Sequence, residues 1–207
     1  MQHRLPAIFI ADSLGLDFLN SVATPVDAPI DWLDSSDGLL SWLAQARLVP
    51  ADALDELKSR AMPGELDRVA EQARSLREWF RGFVCKYMGR SLPPKAFREL
   101  GPLNRLLQND ETFSQISRHR ERDGDGFELQ IVRRWRSPET LLLPIAEALA
   151  KFVCEEDFAR VKACEGQNCT LVFADHTRAQ ARRWCSMASC GNRAKQAAHR
   201  NRLNNRR

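Results

Sequence analysis

Four cysteines near the carboxyl end of the chain have the spacing of a metal site. Cys164 and Cys169 form one C-x4-C pair, and Cys185 and Cys190 form a second pair after fifteen intervening residues. Four thiolates can surround one zinc ion tetrahedrally at about 2.3 Å, with each pair supplying one local knuckle. Since protein sulfur would then fill every coordination position, no place is left for a reactive water. The sequence therefore predicts one structural Zn²⁺ held by these four cysteines.

Disulfide bonds are the alternative use of four cysteines, and they form in oxidising compartments. The first residues, Met1 to Pro6, lack the sustained apolar run of a secretory signal. No apolar stretch approaches the roughly 18 residues of a membrane span, so no membrane association is expected. We therefore expect a cytoplasmic protein with reduced thiols, which favours the metal. Cys85 and Cys154 have apolar neighbours in the sequence and are expected to be small core residues.

The segments around the cysteines predict how the metal site is built. Gly166 and Asn168 lie in the first knuckle, where glycine and asparagine tolerate positive φ angles. The apolar run 171–173 favours a short β-strand. Ser186 is a good N-cap for a helix over 188–203. A hairpin knuckle followed by a knuckle at a helix start predicts a treble-clef-like zinc module.

Positive charge concentrates in the same part of the chain. Residues 160–207 contain 11 Lys and Arg against 2 acidic residues, a net charge of +9, whereas the remaining chain carries −5. A basic end on an acidic body is typical of nucleic-acid-binding proteins. Arg193, Arg200 and Arg207 recur every seven residues on the predicted helix, so they share a face that could follow phosphates or enter a major groove. The predicted DNA contacts are Arg178, Arg182, Arg183, Arg193, Lys195, Arg200 and Arg202.

Two other interpretations of the basic segment stay open at this point. A run of charge is often only a solvated surface that aids solubility. The zinc module could also be an interaction platform that docks on an acidic protein partner without touching DNA.

Helical periodicity dominates the rest of the chain, so we expect two domains, 1–158 and 159–207. Apolar positions predict a short helix around 14–19, a long helix over 65–88, and further helices between and after them. The predicted fold class is mainly α with a small β-hairpin (α+β), followed by the zinc module.

The β-hairpin is expected from segments 113–120 and 127–135, which flank the turn sequence Asp123-Gly124-Asp125-Gly126. Apolar residues at 127, 129 and 131 alternate with neighbours on the opposite side. This alternation predicts that one face of the hairpin is buried.

No catalytic set is evident in the first domain. His3 and His119 have no Ser or Cys nucleophile at motif spacing, and the sequence has no glycine-rich phosphate loop. Asp17 and Asn20 are polar residues within an apolar helix, and they predict either a buried polar network or a contact with a small ligand. We therefore expect a binding protein and not an enzyme.

Two motifs resemble a known bacterial family. The run from Arg183 to Lys195, which contains Cys190-Gly191-Asn192-Arg193, resembles the signature of CGNR zinc fingers, and Cys164-x4-Cys169 is similar to its other half. The motif 16–21 is similar to the opening of the ABATE domain that precedes this finger, with Ser21 where Thr is common.

The resemblance implies that the four cysteines are zinc ligands in a cytoplasmic, stress-induced transcription regulator. Together with the charge pattern, it predicts that the zinc module binds DNA. The N-terminal domain is expected to sense a ligand or to form a homodimer.

Overall fold

Apolar residues spaced three and four apart form the helices that make up most of the molecule. The computed structural model describes residues 5–24, 28–119 and 126–204. His3, the turn residues 123–125 and Arg207 lie outside these ranges. The helices are α1 (Leu14–Leu19), α2 (Ser36–Gln45), α3 (Ala51–Arg60), α4 (Glu65–Tyr87), α5 (Gly101–Leu107), α6 (Leu142–Glu155) and α7 (Asn192–Asn204). Across the described ranges, no helix is long and apolar enough to cross a membrane.

Three antiparallel strand pairs accompany these helices. β1 (Val22–Ala23) pairs with β2 (Ile30–Asp31), β3 (Thr112–His119) with β4 (Gly126–Arg133), and β5 (Val161–Ala163) with β6 (Val172–Ala174). The β3–β4 pair is the predicted hairpin. The predicted fold class, a mainly helical α+β domain followed by a zinc module, is confirmed.

The core is built around aromatic side chains of α4 and α6. Phe80 of α4 and Phe152 of α6 meet edge to face, with ring centroids 5.8 Å apart. Phe152 also lies 5.0 Å from the ring of Phe158, which opens the short turn Phe158–Arg160 before β5. Helices α1 and α6 approach so closely that a Cβ atom on Gly15 would lie 2.7 Å from the Cβ of Phe152. The core thus continues from the helical body into the zinc module.

A partly buried ion pair fixes the β1–β2 ribbon to α4. Arg77 of α4 is only 3% exposed, and its two terminal nitrogens each donate to Asp31 on β2 at 2.8 Å. The same guanidinium donates to the Ser21 hydroxyl at 3.1 Å. Ser21 stands where Thr is common in the motif 16–21, and both residue types carry a hydroxyl. This hydroxyl therefore has a structural partner in Arg77.

The prediction that one face of the β3–β4 hairpin is buried is wrong. Phe127, Leu129 and Ile131 are 79%, 73% and 77% exposed, and Ile116 on the paired strand is 74% exposed. The hairpin is attached at its base, where Arg133 donates to Asp110 and to Glu147. Alternation identified the apolar face correctly, but alternation cannot say whether another element covers it.

Cys85 and Cys154 are exposed, so their predicted place in the core is also wrong. The buried stripe of α4 contains Val84 and Tyr87 on either side of Cys85 in sequence. Because successive helical residues point about 100° apart, an apolar neighbour in sequence does not make a residue buried.

Asp17 and Asn20 each hydrogen-bond to backbone groups inside the protein. Both are almost fully buried, with 5% and 1% exposure. One carboxylate oxygen of Asp17 accepts hydrogen bonds from the backbone N–H groups of Ile10 and Ala11 at 3.0 Å. Asn20 pairs with the backbone of β6, as described below. Both polar side chains therefore have internal hydrogen-bond partners.

Burial gives Asp17 a testable pH signature. Burial raises the pKa of Asp17 from 3.8 to about 6, even though the two backbone hydrogen bonds act to lower it. Between these values the folded chain binds a proton that the unfolded chain has lost, so the free energy of unfolding falls as pH rises through this window.

We predict that Asp17→Asn removes a pH-dependent loss on the order of 2 kcal/mol. Chemical denaturation across this window, compared with wild type, measures the difference between the two slopes. Asp55→Asn, at an exposed position on α3, is the matched control and should keep the wild-type slope. Equal slopes for wild type and Asp17→Asn would contradict this origin of the pH dependence.

Candidate metal centre

The four predicted cysteine ligands converge on one point. Their sulfur atoms all lie within 4.8 Å of one another. The Sγ–Sγ distances are 3.9 Å from Cys169 to Cys185 and 3.6 Å from Cys185 to Cys190. A tetrahedral zinc ion with bonds of about 2.3 Å requires sulfur atoms about 3.8 Å apart. Both the donor set and its dimensions fit one structural zinc ion, which the chain holds in a four-cysteine site.

N–H groups around the cluster donate hydrogen bonds to the sulfur atoms, an arrangement that suits thiolates. Cys164 Sγ accepts from the backbone N–H groups of Cys185 at 3.2 Å and Gly166 at 3.4 Å. The guanidinium of Arg193 donates to Cys190 Sγ at 3.2 Å. These donors stabilise negative charge on the ligands and orient them.

The thiols strongly influence one another's ionisation. A hydrogen bond from Cys185 lowers the pKa of Cys169 to about 5. The same contact, followed by burial, raises the pKa of Cys185, and burial raises that of Cys164. A bound dication offsets this mutual repulsion and allows all four sulfurs to bind as thiolates.

The first knuckle depends on Gly166 for space. A Cβ atom at this position would lie 2.7 Å from Cys190 Sγ and 3.3 Å from Cys169 Cβ. The expectation of a left-handed conformation holds for Asn168, whose φ is 62°. Gly166 has no such φ, so the requirement there is close approach to the sulfur cluster.

The β5–β6 hairpin supplies the first knuckle, and the helical segment that leads into α7 supplies the second, as predicted. The β5–β6 pair leads into the first knuckle, and the Cys164 N–H donates to the Leu171 carbonyl at 2.9 Å. Ser186 caps the second knuckle by accepting from the Ala188 N–H at 3.1 Å. A π-helical turn, Met187–Gly191, carries Cys190 and runs directly into α7. The arrangement is that of a treble-clef-like zinc module.

Asp175 organises the loop between the knuckles, a role that the sequence analysis missed. It is fully buried, and its carboxylate accepts from Lys162 Nζ at 2.7 Å, the Thr177 hydroxyl at 2.5 Å and the Arg182 N–H at 2.9 Å. Burial alone would raise the pKa of Asp175, but these hydrogen bonds hold it far below its usual range. The sequence does contain a signal for this role. Asp175 follows an apolar strand and precedes Thr177 by two residues, a pattern typical of an aspartate that organises a turn.

The zinc module is joined to the helical body by specific polar contacts. The Asn20 side chain forms two hydrogen bonds with the backbone of Val172 on β6, at 2.8 and 2.9 Å. Thr170 Oγ1 accepts from the Thr24 N–H at 2.9 Å. Asn20 thus binds β6 in the way that a neighbouring strand would.

Arg182 lies at this same junction, although it was predicted to contact DNA. Its guanidinium donates to Asp12 at 3.1 Å, and to the carbonyls of Ile10 at 3.2 Å and Cys185 at 2.5 Å. It also stacks 4.2 Å from the Phe173 ring centroid. With only 20% of its side chain exposed, Arg182 connects the body to the second knuckle.

The other predicted DNA contacts lie nearer the surface. Arg178, Lys195, Arg200 and Arg202 are exposed, and Arg193 is half-buried against the cluster. Arg183 is exposed and pairs with Glu165 at 2.6 Å.

A surface recess of about 390 Å³ lies between the first knuckle and α7. Arg193, Gln196 and Arg200 line its helical side, and residues 165–168 line the other. Its cationic and amide groups could bind phosphate or the edge of a base.

Comparison with known families gives two matches that together span most of the chain. A family model named ABATE, described as "Putative stress-induced transcription regulator", matches residues 12–156. The CGNR zinc finger model matches residues 160–203 and so includes all four cysteines. No functionally curated protein matches the chain.

The role of Gly166 can be tested by adding one methyl group. We expect Gly166→Ala to lower zinc affinity on the order of tenfold, because the methyl would displace Cys190 Sγ. Competition with a chromophoric chelator measures the change. Gly82→Ala, on an exposed part of α4 with nothing within 4 Å of the added carbon, should bind zinc as wild type does. Unchanged affinity in Gly166→Ala would contradict the steric argument.

The metal itself has a direct test. Protein purified without added zinc should contain one zinc ion per chain, and Cys190→Ser should lose both the metal and the order of the zinc module. Elemental analysis and thermal unfolding report the two losses. Cys85→Ser, which changes an exposed thiol, is the control. Full zinc content in Cys190→Ser would show that the assignment of four cysteine ligands is wrong.

Proposed function

Because the chain belongs to the ABATE family and ends in a CGNR zinc finger, we propose that this regulator acts on transcription by binding DNA through its zinc module. In this proposal the protein acts by binding and not by catalysis. The observation that carries the proposal is the position of Arg193 and Arg200 on α7, beside the metal knuckle.

Zinc ligation supports the proposal because it fixes where the basic helix begins. Cys190 lies two residues before α7, and Arg193 in the first turn contacts the sulfur of that same ligand. Arg200 lies two helical turns further along the same side. A rigid start lets these cations meet phosphates without the full entropy cost of ordering a free tail.

The exposure of α7 also suits a nucleic-acid groove. Lys195 and Arg202 are seven residues apart, like Arg193 and Arg200, and lie on roughly the opposite side of the helix. Both are exposed. A helix in a major groove about 12 Å wide has phosphates on both flanks, so two basic stripes would each face one strand. We leave Arg182 out of this surface because of its contacts at the junction.

An effector site is the second part of the proposal. A cleft of about 600 Å³ lies where α1, α6 and the zinc module meet. Leu14, Leu48 and Phe152 supply apolar walls, while Arg160 and His176 come from the module. Ligand sites commonly have this size and mixture. A small amphipathic effector bound here would contact both parts, so it could change how the module meets DNA.

The DNA proposal predicts a specific electrostatic signature. Arg200→Ala should weaken binding to duplex DNA and reduce the slope of log affinity against log salt by about one. The loss of one phosphate contact, with its released counterion, is the reason. Fluorescence anisotropy over a salt series measures both quantities.

Two controls make this result decisive. Zinc content should stay at one per chain in Arg200→Ala, and Arg68→Ala, at an exposed position on α4, should bind DNA as wild type does. If the intact protein has no affinity for DNA even at low salt but binds an acidic protein surface, the interaction-platform alternative replaces the proposal.

The effector cleft can be tested by filling it. Small molecules that raise the melting temperature of wild type should fail to raise that of Leu48→Trp, because the larger ring occupies the cleft. A ligand that stabilises both proteins equally binds elsewhere and would contradict the assigned site.

A further inference from the structure

We propose that the apolar face of the β3–β4 hairpin is a homodimer interface. The observation is the exposure of Ile116, Phe127, Leu129 and Ile131, each 73–79% exposed on one face of a two-stranded ribbon. The hairpin would then be the surface through which the N-terminal domain forms the expected homodimer. This interface does not depend on DNA binding.

Strand register places these residues in one continuous patch. Phe127, Leu129 and Ile131 alternate along β4, and Ile116 on β3 lies directly opposite Leu129. Ser114 lies opposite Ile131, and Arg118 lies opposite Phe127 near the hairpin tip. The centre of the patch is therefore uncharged.

The other face of the same ribbon is different in character. Glu128 and Gln130 alternate with the apolar residues of β4, and they oppose Ser117 and Gln115 on β3. Among the described residues, the hairpin therefore has an apolar side and a polar side over most of its length. This is the pattern of a sheet with one covered face.

Such a ribbon is stabilised when another surface covers its apolar face. An isolated two-stranded hairpin is at best marginally stable in water. Each strand here has eight residues, and the base of the hairpin is held by the ion pairs of Arg133. Large apolar patches on a soluble surface usually mark interaction sites. Covering the four side chains would stabilise both the hairpin and the complex.

A second copy of the chain is the occupant that the area and symmetry favour. Four large side chains at about three-quarters exposure offer roughly 500 Å² of apolar surface, against about 800 Å² per partner in a standard interface. The patch thus supplies more than half of what a stable dimer requires.

Symmetry adds a second reason. A two-fold axis at the Leu129–Ile116 pair would bring Phe127 of one copy onto Ile131 of the other, so the patch is complementary to itself. It would also place the two Arg118 side chains at opposite ends, which avoids repulsion between them.

Sedimentation of the full-length protein tests the interface directly, without DNA. Wild type should sediment as a dimer, at twice the monomer mass of 23.6 kDa. Leu129→Glu should sediment as a monomer over the same concentration range, because two buried carboxylates would oppose each other across the axis. Gln130→Glu, the next residue on the polar face, is the matched control and should stay dimeric.

Two readouts separate this test from folding and from the DNA proposal. Leu129→Glu should keep one zinc per chain and the wild-type circular dichroism spectrum, since the replaced side chain is exposed in the monomer. A wild-type protein that stays monomeric, or a Leu129→Glu variant that stays dimeric, would overturn the proposal. Neither result would bear on whether α7 binds DNA.

Discussion

The tetrahedral demand of one zinc ion for four thiolates is the constraint on which the carboxyl-terminal part of the structure depends. Residues 160–204 contain one short strand pair and one exposed helix, which is too little apolar surface to fold unaided. The metal joins the knuckle after β5 to the knuckle before α7. This site also requires the absence of a side chain at Gly166. It is stabilised by hydrogen bonds to sulfur from a backbone N–H group and from Arg193.

A second constraint joins this module to the helical body. Asn20 at the end of α1 hydrogen-bonds β6, and Phe158 extends the aromatic core of α4 and α6 to the start of β5. Arg182 adds a charged contact from the second knuckle to Asp12. Apolar and polar contacts both cross this junction. A conformational change in the helical body would therefore shift the start of α7. In the proposed function, an effector bound in the cleft at this junction would change the position of the basic helix.

Much of the architecture was predictable because local chemistry determines it. The cysteine spacing predicts the metal and its ligands. Ser186 predicts the helix cap, and apolar periodicity predicts the helices. Predictions that needed knowledge of distant partners failed. The exposed apolar face of β4 looks the same in sequence as a buried one. The error at Cys85 has a local cause, because helical phase points this residue away from the core beside Val84. The role of Arg182 was missed because Asp12 and Ile10, two of its partners, come from a segment distant in sequence. A count of basic residues cannot distinguish an arginine that holds the fold together from one that is available for DNA.

In the proposed function, zinc positions the α7 helix for DNA, and this role can be tested by chelation. DNA affinity and amide hydrogen exchange of α7 would be measured on the same protein, before and after zinc removal, at one fixed ionic strength. After chelation, the α7 amides should lose protection and DNA affinity should fall, and both should return when zinc is restored. If DNA binding is unchanged while α7 loses its protection, the metal does not organise the DNA-binding surface and the proposed role of zinc is wrong.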